Sequence, residues 1–195
     1  MKTIEQARRF FRLTRSHGIA RRYFVVNGFD GALAMLGLVM GFYVTSGEAD
    51  LEVALTACLG AAVALGISGL SSAYISESAE RQRALRDLEE AMAGESLEDS
   101  SHGRAARIVP VYVAMVNGAA PLGTALIIMV PLWLAQAGIP MPHSPFAASA
   151  AVATALLFLY GIYLGNISGT SWLWSGVRTL FIALVTGILV LLLGG

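Results

Sequence analysis

Five long apolar stretches constrain what this chain can fold into more than anything else in it. A helix needs about 20 mostly apolar residues to cross the hydrocarbon core of a bilayer. Residues 23–46, 52–75, 109–136, 146–168 and 174–194 each reach that length. Inside lipid every backbone amide needs a partner within the protein, and a helix supplies those partners within one segment. The expected fold is therefore an all-α membrane protein of five transmembrane helices. Charge content agrees: Asp, Glu, Lys and Arg make up 13% of the chain, against about 25% in soluble domains.

The placement of the basic residues gives a direction. Of thirteen Lys and Arg, seven fall in residues 1–22, five in residues 81–107, and the last is Arg178. Lys and Arg collect on the cytoplasmic side of a membrane. With the N-terminus in the cytoplasm, all thirteen lie on that side or at its edge. The two outer loops then hold none, and the first carries Glu48, Asp50 and Glu52. The C-terminus is expected outside, or in the lumen of an organelle. The apolar run after the basic N-terminus is too long for a signal peptide and lacks a polar cleavage region, so it reads as a retained helix.

Residues 1–22 place Ile4, Ala7, Phe10, Phe11 and Leu13 among Arg8, Arg9, Arg12 and Arg15. That pattern reads as a basic amphipathic segment on an anionic inner leaflet, and equally as an orientation signal. Residues 23–195 form the five-helix transmembrane domain, interrupted by a cytoplasmic insert at 76–108. From Ser76 to Ala93 the insert is rich in helix formers and in possible i,i+4 pairs, Glu77–Arg81 and Arg86–Glu90. The second helix is thus expected to extend into the cytoplasm until Gly94 stops it. About 30 residues are too few for an independent domain. Zero net charge removes any bulk basic character that would suggest nucleic acid. The lone cysteine, Cys58, allows no intrachain disulfide.

An ionisable group within a span is costly and marks a pathway or a partner. Asp30 is the only acid in the interior of any span, about 10 Å along the first run at 1.5 Å per residue. Asn27, at i−3, shares its face. Asp30 reads as an ion or proton site, or as a structural carboxyl bonded to a neighbouring helix. Asn117, beside Gly118 and Pro121, either lines a cavity or makes an interhelical hydrogen bond at a kink. The second run is rich in small residues from Gly60 to Ala73, and Gly37 and Gly41 form a GxxxG pair, both of which favour close helix packing. Glu77, Glu80 and Asp87 share one face of the insert. They form either a carboxylate stripe able to gather hard divalent cations or a solvated face laced with Arg81, Arg83 and Arg86. His17, His102 and His143 fit no metal spacing, and no nucleophile elbow, phosphate loop or paired intramembrane carboxylate suggests an enzyme.

Several stretches resemble the vacuolar iron transporter family, five-helix carriers of ferrous iron and manganese. Phe29-Asp30-Gly31-Ala32-Leu33 with Gly37 and Gly41 resembles the family's Asp-Gly opening. Ser68 through Tyr74-Ile75-Ser76, followed by Arg83 to Leu88, resembles its Ser-Met-Ala-Ala-Gly-Glu-Tyr-x-Ser run and trailing helix. Gly161, Gly165 and Ser175-Gly176-Val177-Arg178 resemble its last two spans. The similarity covers most of residues 18–195. It implies a proton-coupled Fe²⁺ or Mn²⁺ carrier that exports metal from the cytoplasm, works as a homodimer and needs no cofactor. Asp30 would exchange proton for metal, with Asn27 and Asn117 as neutral oxygen ligands and Glu77 and Glu80 collecting cation at the mouth. Reading back from Tyr74, the family's Met falls on Gly69 and its Glu on Ala73, and its long cytoplasmic metal-binding domain is cut to Ser76–Ser101. Glu77, one turn beyond Ala73, is the candidate replacement. The alternatives are a non-transporting binding or scaffold relative that has lost the pathway ligands, or a carrier of another solute. A short, prokaryote-like chain points to a plasma membrane.

Overall fold

The computed structural model describes residues 16–45, 51–92, 94 and 96–194. The basic segment expected on the membrane surface lies outside them, apart from its end. Five helices account for nearly all of the described chain: α1 (Ser16–Thr45), α2 (Leu51–Ala91), α3 (Ser101–Gln136), α4 (Pro145–Ser168) and α5 (Trp172–Gly194). All five are long and apolar enough to cross a bilayer, so the protein is a multi-pass integral membrane protein.

The apolar runs locate the helices, but α1 and α3 begin seven or eight residues before them. Hydropathy reports only the lipid-embedded part of a helix, whereas backbone hydrogen bonding continues through polar residues that favour helix. The second apolar run and the polar insert do form one unbroken helix of 41 residues. It ends at Ala91, and just beyond it Gly94 has a φ of +81° that suits glycine and donates its N–H to the Glu89 carbonyl. At the far end of α3, Gly138 has a φ of +76°. Pro145 stands at the start of α4, where a missing N–H costs nothing.

The helices pack in two units. One contains the described part of Met1–Phe24 together with Ile67–Ala119. Its small core is Ala105, Val109 and Val113 of α3, with Ile19 and Tyr23 of α1 against them. The other unit contains Val25–Gly66 and Ala120–Gly195. Its core draws on all five helices, from Met35 and Val39 of α1, Cys58 and Ala62 of α2, and Ile128, Met129 and Leu132 of α3 to Leu157 of α4 and Ala183 of α5.

Between membrane helices water supplies no hydrophobic drive, so close van der Waals contact through small residues has to hold them. Here the close contacts fall at particular glycines. A Cβ on Gly161 would lie 2.3 Å from Thr179 Oγ1, one on Gly165 2.8 Å from Ser175 Cβ, and one on Gly176 2.4 Å from the Phe158 ring. These three lock α4 and α5 into an antiparallel hairpin, turned by Gly169 at a φ of +69°. By contrast, a Cβ on Gly37 or Gly41 would meet nothing within 4 Å. A side chain at either position of the GxxxG pair of α1 would therefore press on no neighbour among the described residues.

Candidate functional site

Asp30 sits in α1 on the side turned away from the packed core. Gly28, Gly31, Ala32 and Met35 are buried, while Val26, Asp30 and Ala34, spaced by four, are exposed. Two contacts fix this rotation. A Cβ on Gly28 would overlap the Tyr160 hydroxyl at 2.3 Å, and one on Gly31 would lie 2.8 Å from Pro121 Cα. These glycines bring α1 down onto α4 and α3; between them Phe29 packs against the core while Asp30 faces outward. Asp30 has no hydrogen-bond or ion-pair partner among the described residues. Asn27, three residues earlier, is half-buried.

Behind α1, Thr124 and Tyr160 share a hydroxyl–hydroxyl hydrogen bond of 2.7 Å, and Thr124 Oγ1 also donates to the Ala120 carbonyl at 2.8 Å. Sequence reasoning missed this pair. Its only signal was the presence of polar side chains inside apolar runs, which need partners in lipid. The buried hydroxyl of Ser149, also in this unit, has no partner among the described residues.

In the other unit, Asn117 is 3% exposed, and its Nδ2 donates to the backbone carbonyl of Gly69. Of the two readings left open by the sequence, the interhelical hydrogen bond is what forms. Gly69 and Ala73 are both buried. A Cβ on Gly69 would lie 3.0 Å from the Asn117 carbonyl oxygen and 3.3 Å from Gly118 Cα. A side chain at Gly69 would need the backbone of α3 to give by a few tenths of an ångström.

Farther along α2, Glu77 is half-buried and accepts from Arg81 Nε at 3.0 Å, as its i,i+4 spacing predicted. Arg86 and Glu90 form no such pair. Glu80 and Asp87 are exposed. No group of three or more His, Cys, Asp or Glu side chains able to hold a metal occurs among the described residues. The structure therefore gathers Glu77 with Arg81, and Asn117 with Gly69. It gives Asp30 an outward position of its own.

No family model matches the chain. It is 29% identical over 171 residues to an uncharacterized protein of Methanocaldococcus jannaschii, an alignment covering 86% of this chain and 85% of the relative.

Proposed function

We propose that this protein is a proton-coupled divalent metal carrier of the vacuolar iron transporter type, moving Fe²⁺ or Mn²⁺ out of the cytoplasm across a prokaryotic plasma membrane. The observation that carries this reading is Asp30: a carboxylate within a spanning helix, exposed and without a partner among the described residues. Burying a charge in lipid is costly, so such a group is matched by a cation, by a proton or by another polypeptide. Alternation between the first two is what exchange of metal for proton requires. Asn27, on the same face, supplies a neutral oxygen to the bound cation.

The same outward face supports a homodimer. Ala34, Gly37 and Gly41 continue along α1 beyond Asp30 with little side chain, and their open glycines admit the close approach of a second helix. In the topology we infer, the N-terminus and the α2–α3 and α4–α5 turns lie in the cytoplasm and the C-terminus lies outside. Glu77 and Glu80 then stand at the cytoplasmic mouth. Arg81 lies across Glu77, so a cation collected there has to displace a guanidinium.

Gly69 packs against α3 and Ala73 is buried, which favours a second reading, a membrane-embedded binding or scaffold protein that shares the fold without the transport. Metal uptake into proteoliposomes under a pH gradient separates the two. The carrier reading expects flux of Fe²⁺ or Mn²⁺ that Asp30→Asn abolishes. Absence of flux for Fe²⁺, Mn²⁺, Co²⁺ and Zn²⁺ would overturn it. Retained flux in Glu77→Gln would remove Glu77 from the pathway while leaving Asp30 in it.

A further inference from the structure

Past its apolar stretch, α2 runs beside the start of α3, and the two enclose an open cavity of about 440 Å³. Gln82, Arg86 and Glu89 line it from α2, and Glu98 and Arg107 from the turn and α3. The turn that closes it is firmly built. Glu89 Oε1 accepts from the Leu97 N–H at 2.8 Å. Ser100 Oγ accepts from the N–H groups of His102 and Gly103 at 3.1 and 3.2 Å, capping α3. Arg107 Nη2 donates to the Glu98 carbonyl at 2.8 Å.

Among the described residues neither guanidinium of the lining is ion-paired: Arg107 donates to the Glu98 backbone carbonyl, and Arg86 has no partner. Guanidinium presents paired N–H donors that match two oxygens of a phosphate. The lining also holds Glu89 and Glu98. One oxygen of Glu89 is taken by Leu97, but the carboxylates still disfavour a bare anion. They suit a ligand that carries hydrogen-bond donors next to its negative charge. The volume lies within the range of small-molecule sites.

We propose that this cavity binds a phosphate ester bearing hydroxyl or amino groups, with Arg86 and Arg107 on the phosphate and Gln82 and Glu98 on the neighbouring donors. Two sources share that chemistry. One is a small soluble phosphate ester. The other is a phospholipid headgroup, because the third apolar run begins at Val109, two residues beyond Arg107. This assignment is independent of metal transport.

The test uses the full chain, purified and delipidated in detergent. Calorimetric titration with glycerol 3-phosphate, with glycerol as the uncharged control, reads the soluble source. Native mass spectrometry after reconstitution with phosphatidylglycerol or phosphatidylcholine reads the lipid source. Arg86→Gln touches no contact of the fold and should leave the circular dichroism and melting temperature unchanged. It should weaken binding about tenfold in whichever arm binds, as expected for loss of one charge-assisted pair, and Arg107→Gln should do the same. Saturable binding of glycerol 3-phosphate but not glycerol, lost in these variants, supports the soluble ester. Phosphatidylglycerol retained by the wild type and released by the variants supports the headgroup. Equal behaviour of wild type and Arg86→Gln in both arms would overturn the site.

Discussion

At Gly69 a missing side chain and a backbone carbonyl serve the same contact. The absent Cβ lets α3 approach, and the carbonyl then accepts from Asn117. A side chain there would press on the α3 backbone: Gly69→Met should cost about 1–3 kcal/mol through overpacking, read as a lower melting temperature in detergent. Asn117→Ala should cost about 0.6 kcal/mol, the average for an interhelical hydrogen bond in a membrane, so the two variants rank in that order. Asp30 is the opposite case, because nothing in the described fold depends on its carboxylate. Asp30→Asn should leave the melting temperature within a few degrees of wild type while it abolishes any metal flux. The sequence pointed to Asp30 as a costly acid and to Asn117 as a group needing a partner. It could not reveal that partner, because Gly69 lies 48 residues away and no local pattern encodes which faces of two helices meet.

At the scale of elements, the start of α3 shows how a polar side chain fixes a helix end. Ser100 caps α3, and its replacement by alanine should cost about 1 kcal/mol. Hydrogen exchange should show the loss directly, as faster exchange at His102 and Gly103. The α4–α5 hairpin depends on shape instead. Gly161→Leu places carbon where Thr179 Oγ1 now sits, and should lower the melting temperature more than Gly37→Leu, whose site is open within the chain. Spacing alone suggested Gly37 and Gly41 as packing positions. The intramolecular contacts use Gly28, Gly31, Gly69, Gly161, Gly165 and Gly176 instead, because a glycine matters only where its helix rotates it toward a neighbour. Helix positions were legible because lipid thickness dictates the length of an apolar run. Helix starts were not, since α1 and α3 begin in polar sequence that hydropathy does not weigh.

For the molecule as a whole, orientation is the testable property. In the inferred topology, a single cysteine introduced as Ser96→Cys in a Cys58→Ala background should react with an impermeant maleimide only in inverted membrane vesicles. His143→Cys should react only in intact cells, and the reverse pattern would invert the topology. Trp172 and Trp174 are 52% and 59% exposed, with the Arg178 guanidinium 5.8 Å from the Trp174 ring centroid, a placement that would suit an aromatic anchor at a membrane interface. The outward position of Asp30 also bears on biogenesis. An aspartate at the centre of a spanning helix costs about 2.5–3.5 kcal/mol at insertion, and no described residue of the same chain offsets that cost. In the proposed carrier that penalty would be relieved when a cation, a proton or a second copy reaches Asp30, so its maturation would extend beyond folding of the single chain. Replacing Asp30 by leucine should raise the yield of inserted protein in a translocation assay, trading the proposed transport for easier entry into the membrane.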